Sequence, residues 1–205
     1  KELSSLDALS DGRLIAGVGA GWNNDEFANL GMADRFHVRG AYLDETIDLW
    51  RHLWSGSREP FIGRFHRIDD FVFSPLPRQG AGVPIAVGGR AEPALKRAGT
   101  KGDWYHSSAT SAAKYAERVP IIRAAAEAAG RPMPRLTARA WTEFGAATSN
   151  AYAIRGTVEE MVAEIRAFAA LGVDHLALWF DATDPDELVK LMERFARDVA
   201  PAVYL

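Results

Sequence analysis

Short apolar runs alternate with amphipathic helical segments five times along this chain, and that alternation restricts the fold more than any single residue does. The apolar runs fall at 13–19, 84–87, 103–106, 136–144 and 173–180, each bounded by Gly or polar residues and each short enough for a strand. Helical spacing follows in between. Leu43, Ile47, Trp50 and Trp54 recur at helical intervals within 38–54. A second helix is expected over 111–129, with Pro120 kinking or dividing it and Gly130 stopping it. Thr157 and Glu160 form a capping box ahead of Val158, Met161, Val162, Ile165 and Phe168, and Gly172 lies just past the end. Asp184-Pro185-Asp186-Glu187 opens the last helix, whose buried face is expected to carry Leu188, Leu191, Met192 and Phe195. Strands separated by helices pair in parallel, so the expected class is α/β.

The 205 residues read as one domain over 1–205 with one interruption. Between 55 and 82 the pattern becomes irregular and aromatic, with Phe61, Phe65, Phe71 and Phe73 set among glycines and prolines, which suits a hairpin-like excursion. The chain begins without methionine, in what reads as the end of a helix bearing Leu3, Leu6 and Leu9, as expected of a longer chain that has been cut.

Composition narrows the function. With 48% hydrophobic and 25% charged residues a sizeable core is expected, and a formal net charge of −3 leaves no basic footprint for nucleic acid or an acidic membrane surface. A small-molecule ligand is the expected partner. The absence of cysteine removes disulfides, thiolate nucleophiles and Cys-ligated metals and is compatible with the cytosol, where the chain is expected. No apolar stretch approaches the roughly 18 residues that span a bilayer, and the first residues lack the apolar core of a signal peptide.

Two strand ends carry the chemistry. Pro84-Ile85-Ala86-Val87 stops at Gly88 and Gly89, followed by Arg90 and a helix-prone segment, so uncovered backbone N–H groups converge where an anion can sit. The earlier run Leu14-Ile15-Ala16-Gly17-Val18 likewise ends in Gly19-Ala20-Gly21 and enters a helix for which Asn23 is the expected N-cap. Arg90 either pairs with a phosphate or is a solvated charge beside Glu92. His106 stands at the C-terminal end of a strand, the position from which barrel enzymes project catalytic groups, although barrel histidines are also often structural. His37, His52 and His66 lack metal-ligand spacing, so no metal site is expected, and His175 is read as structural. Arg139 and Glu143 are expected to share one face of their strand as a charge pair, or as a polar layer without chemistry. Trp179 and Phe180 are read as pocket wall or as core. No Ser-His-Asp order or carboxylate pair stands out for a hydrolase.

The order of these pieces resembles the luciferase-like flavin or deazaflavin oxidoreductases. The resemblance is carried by Gly12-Arg13-Leu14, Gly17-Val18-Gly19-Ala20-Gly21-Trp22-Asn23, Glu26-Phe27, Arg39-Gly40, Leu43-Asp44-Glu45, Leu53-Trp54 and Pro84-Ile85-Ala86-Val87-Gly88-Gly89. It continues through Gly102-Asp103-Trp104, Gly156-Thr157-Val158-Glu159-Glu160 and Gly172-Val173-Asp174-His175-Leu176. It implies a (β/α)8 TIM barrel, here incomplete, with about five βα units that form the C-terminal portion and lack the N-terminal third. It also implies a cofactor, coenzyme F420 or alternatively FMN, near Val18, Gly19 and Asn23 on one side and near Gly88, Gly89 and Arg90 on the other, with His106 as a candidate for catalysis. The implied activity is hydride transfer between that cofactor and a small organic substrate, with monooxygenation open to the flavin, and a homodimer is the implied assembly. Two alternatives stand beside it: a phosphate-binding barrel lyase or isomerase, and a non-catalytic remnant.

Overall fold

The computed structural model describes residues 1–145 and 152–203. Six strands form one parallel sheet: β1 (Ala16–Val18), β4 (Ile85–Gly88), β5 (Trp104–Ser108), β6 (Arg135–Phe144), β7 (Ala153–Gly156) and β8 (Val173–Phe180). Pairing runs β1-β4-β5-β6, with β8 also on β6, and the sheet stays open rather than closing into a barrel. All five strands read from the apolar runs are present. β7 is the addition: it pairs with residues 141–144 of β6, beyond the 135–139 stretch that pairs with β5, so it extends the β5 edge. The α/β class and the succession of five βα units thus stand, and a sixth, short strand joins them.

The helices are α1 (Glu2–Leu9), α2 (Asn24–Asn29), α3 (Arg39–Trp54), α4 (Glu92–Lys101), α5 (Ala112–Ala116), α6 (Val119–Ala128), α7 (Val158–Ala170), α8 (Pro185–Arg194) and α9 (Ala200–Val203). Pro120 divides 111–129 into α5 and α6, where a ring at the start of a helix costs no hydrogen bond. Thr157 and Glu160 make the reciprocal capping box, and Asp184 accepts from the Glu187 N–H. The face expected to be buried on α8 is only half covered: Leu188, Leu191 and Phe195 are partly buried and Met192 is exposed. Its apolar stripe meets the sheet at few points, chiefly through Phe180 against Phe195, whose ring centroids are 5.8 Å apart.

The core lies on one face of the sheet. Ile85, Val87, Tyr105, Leu136, Ala138 and Ala140 alternate inward and are packed by Leu95, Tyr115, Ile122, Met161 and Phe168 from the helices. Tyr105, Tyr115 and Phe168 form an aromatic chain with centroid separations of 5.6 and 5.8 Å. Gly99 permits the close approach of α4 and α6, since a Cβ there would lie 2.5 Å from the Ile122 carbonyl oxygen. Asp103 ties the strand starts together, accepting the Ile85 N–H at 2.9 Å and pairing with Arg51 and Arg131.

The 55–82 segment forms an antiparallel ribbon, β2 (Phe61–Ile62) with β3 (Arg67–Ile68). Its turn closes on the Glu45 carboxylate, which accepts the N–H groups of Arg64, Phe65 and His66 at 2.6, 2.8 and 2.7 Å. Partial burial pushes the Glu45 carboxyl up, and these donors more than offset it, so the group lies below the usual glutamate range. Among the described residues no helix is long and apolar enough to cross a membrane.

Candidate functional site

Because the sheet is parallel, the C-terminal ends of its strands lie at one edge, and the pairing of Val18 with Val87 puts the two glycine-rich ends side by side. Between them opens a cavity of about 590 Å³, lined by Gly19, Ala20, Gly21 and Trp22 from the first end and by Gly88, Gly89, Arg90 and Ala91 from the second. Arg39 and Gly40 at the start of α3, and Pro93, Ala94 and Arg97 of α4, complete the wall.

Backbone chemistry at the second end is that of an anion cradle. Gly89 has φ of +134°, a conformation that other residues rarely adopt, and a Cβ there would sit 2.6 Å from the Ala94 Cβ. This turn aims successive N–H groups outward: among the described residues, those of Gly89, Arg90 and Ala91 meet no acceptor. They sit at the N-terminal end of α4, whose own dipole favours negative charge. From the core side, Tyr105 donates its hydroxyl to the Gly89 carbonyl at 3.0 Å and so fixes the orientation of this peptide.

The cavity unites Gly19 with Gly88, Gly89 and Arg90, but not every residue named from the sequence. Val18 lies behind the wall, with its carbonyl oxygen 3.4 Å from where a Gly88 Cβ would be. Asn23 is outside the lining and spends its side chain as the N-cap of α2, accepting the Asp25 N–H at 3.0 Å. Arg90 is exposed and without a side-chain partner among the described residues. Arg39 and Arg97 are the residues that sequence reading missed. Arg97 is only 7% exposed and is held by Asp44 at 2.6 and 3.0 Å and by the Gly40 carbonyl at 3.0 Å. Arg39 donates to the carbonyls of Gly21 and Phe36.

Adjoining the cavity is the face of the sheet opposite the helices. There His106 stands beside Gly88 in the strand register, with Thr137 on its other side and His175 beyond. Thr137 gives its hydroxyl proton to the Tyr105 carbonyl at 3.0 Å, so its oxygen accepts from His106 Nδ1 at 2.8 Å. That chain places the imidazole proton on Nδ1 and leaves a lone pair on Nε2. Burial, then the charges of Arg139 and His175, holds the His106 pKa below the ordinary histidine value, which keeps the ring neutral. The structural reading of His175 is thereby extended, since it bears on His106 electrostatically. Arg139 and Glu143 do not pair: Glu143 meets Arg155 at 3.6 Å, and the Arg139 guanidinium lies 5.0 Å from the Trp179 ring centroid. Trp179 is tilted against Trp141 with ring centroids 5.1 Å apart and is 45% exposed, so it is not core. Among the described residues no cluster of three His, Asp or Glu side chains could hold a metal.

A family model described as luciferase-like monooxygenase matches residues 1–169. The chain belongs to the luciferase-like monooxygenase family. An F420-dependent glucose-6-phosphate dehydrogenase of Mycolicibacterium fortuitum is 30% identical over 213 residues, covering 94% of this chain and 62% of the relative. An FMNH(2)-dependent dimethylsulfone monooxygenase of Pseudomonas putida is 30% identical over 131 residues, 63% of this chain and 36% of that one. The fold matches an F420-dependent secondary alcohol dehydrogenase solved with an F420-acetone adduct, with a TM-score of 0.79 at 20% identity over 98% of this chain and 73% of the other. Family members among these relatives therefore use either F420 or FMN, and this chain spans about 62% of the length of the F420-dependent relatives it matches.

Proposed function

We propose that this luciferase-like chain binds coenzyme F420, with FMN as the alternative, across the C-terminal edge of its sheet, and serves hydride transfer with a small organic substrate. The observation that carries this is the cavity itself, where two glycine-rich strand ends meet and three consecutive N–H groups await an acceptor. A phosphate ester suits those donors, and the cradle fits it because the space that a side chain at position 89 would claim is left open. F420 comes first because the F420-dependent relatives match 94% of this chain, against 63% for the FMN-dependent one.

When bound, either cofactor supplies the ring carbon or nitrogen that exchanges hydride with substrate, and a flavin adds oxygen chemistry. The protein's part is to hold and orient. Gly89, Arg90 and Ala91 grip the phosphate through their N–H groups. Gly19 and Gly88 keep the edge free of side chains, with Val18 and Asn23 shaping the first strand end behind the wall. His106 presents Nε2 as the acceptor for a substrate hydroxyl proton, its Nδ1–H being committed to Thr137. Trp141 and Trp179 pack on one another further along β6 and β8. The domain reading of 1–205 as the C-terminal portion of a barrel, a cytoplasmic setting and a homodimeric state belong to this proposal.

Titrating the purified chain with F420 and, separately, with FMN while following cofactor fluorescence tests it. Saturable quenching by one of them is expected; quenching by neither would remove the cofactor reading.

A further inference from the structure

Arg135, Arg139 and Arg155 stand on the open face of the sheet, and they differ in what answers their charge. Arg135 pairs with Asp174 at 2.8 Å, and Arg155 meets Glu143 at 3.6 Å. Those are the acids of β5, β6 and β8, so both are taken. Arg139 has no such partner: among the described residues its guanidinium makes no ion pair and no hydrogen bond, and it rests 5.0 Å from the Trp179 ring centroid. A ring face steadies the cation without neutralising it and leaves the N–H fork unoccupied. Arg139 is also half-buried, so its charge has lost water without gaining a counter-ion.

The neighbours of that fork complete a small site. In the strand register Arg139 is level with Ser108 on β5 and Ala177 on β8, the next same-face level beyond His106, Thr137 and His175. Short side chains at 108 and 177 leave room on either side, and the Ser108 hydroxyl has no partner among the described residues. His106 is the diagonal neighbour of Arg139 on the adjacent strand, within reach of a long side chain, and the Arg139 charge helps to hold its pKa down. Its Nε2 lone pair is free because Nδ1 is committed to Thr137.

We infer that Arg139 sets the substrate class: it receives a carboxylate while His106 Nε2 accepts from a hydroxyl of the same molecule, so the substrate is a small hydroxycarboxylic acid. The assignment rests on the hydride-transfer reading above. Two parallel N–H groups of one guanidinium match the two oxygens of a planar carboxylate, and Ser108 adds a hydroxyl donor at the same level. A neutral alcohol leaves the cation unanswered, and an amine is repelled by it.

The test uses lactate and mandelate. Each is titrated against its amide, which keeps the hydroxyl and loses the charge, and against propanoate or phenylacetate, which keep the charge and lose the hydroxyl. Calorimetry gives the affinities, and NMR follows the Arg139 Nε–Hε resonance. In the cofactor-loaded chain at least one of the two acids is expected to bind about tenfold or more tighter than its amide and to shift that resonance. Arg139→Gln is expected to remove most of the acid-over-amide ratio while leaving amide affinity within about threefold, which also shows that the face is still folded. Arg139→Lys restores part of the ratio, and Arg135→Gln leaves it within about twofold. His106→Gln lowers the preference for the hydroxy acid over its deoxy counterpart and spares the acid-over-amide ratio. Neither acid preferred over its amide in the unmodified chain, or a preference that survives Arg139→Gln, overturns the assignment while the cofactor reading stands. Should the chain bind neither F420 nor FMN, the cofactor reading fails, and the same titrations on the cofactor-free chain decide the role of Arg139. A preference for acid over amide that Arg139→Gln removes supports it; no preference, or one that persists, overturns it.

Discussion

The two faces of the sheet are built from the same strands, residue by alternate residue, yet they have opposite characters. Toward the helices stand Ile85, Val87, Tyr105, Ala138 and Ala140, all sealed from solvent. Toward the other side stand Ala86, Gly88, Trp104, His106, Arg139, Trp141 and Trp179, none of them fully buried. The first face holds the fold together. The second carries small, aromatic and titratable groups whose neighbours are each other, and it borders the glycine-lined cavity. Strand alternation thus lets one short segment serve stability and chemistry at once. The faces are coupled at β5, where the sealed Tyr105 fixes Gly89 through its hydroxyl and orients Thr137, and through it His106, by its carbonyl.

The widest difference between the faces should appear on truncation. Phe168→Ala removes a buried ring that packs on Tyr115 and is expected to cost about 3–5 kcal/mol, measured by denaturant unfolding. Trp179→Ala on the open face should cost less than about 1 kcal/mol. Equal losses would mean that the open face is as much a core as the other.

Gly89→Val strikes the seam between the faces. The +134° φ and the 2.6 Å approach to Ala94 are expected to cost about 1–3 kcal/mol and to abolish cofactor binding. Unchanged affinity would remove the glycine pair from the site. Tyr105→Phe keeps the buried ring and deletes only its hydroxyl. About 1 kcal/mol of stability should go, read by denaturant unfolding, and cofactor affinity should fall by a few fold as the Gly89 peptide loses that anchor, read by calorimetric titration.

The smallest effect is a pH dependence. A lowered His106 pKa means that the unfolded chain takes up the proton first as pH falls below about 6.5, so this group's contribution to stability declines from there and levels off below the folded-state value. Imidazole NMR should show His106 titrating below the ordinary histidine value of about 6.5, and base activity should persist further into acid than an ordinary histidine allows. A His106 that titrates at or above the ordinary histidine value would contradict the neutral Nδ1–H tautomer.

Local rules made much of this legible from sequence. The Thr157–Glu160 box, the Asp184 cap, the Asn23 cap and the dividing Pro120 each act within a turn or two of chain, so they can be read without knowing the fold. The meeting of the two glycine ends was also foreseeable, because parallel strands end at one edge. β7 escaped notice because four residues, Ala153 to Gly156, carry no alternation and owe their extended form to the far end of β6. Arg39 and Arg97 escaped for a related reason: they stand 50 residues before and 8 residues after Gly89, and only the packing of α3 on α4 and of α4 on β4 brings them to the cavity. Of the two readings for Arg139 and Glu143, a charge pair or a polar layer on one strand face, the pair fails because position four along a strand keeps a face but not contact, and each meets another neighbour.

The most direct test of the central claim is where a bound phosphate sits. A structure of the chain with F420 should show phosphate oxygens within hydrogen-bond distance of the N–H groups of Gly89, Arg90 and Ala91. A cofactor bound elsewhere, with those three N–H groups still facing empty space, would contradict it.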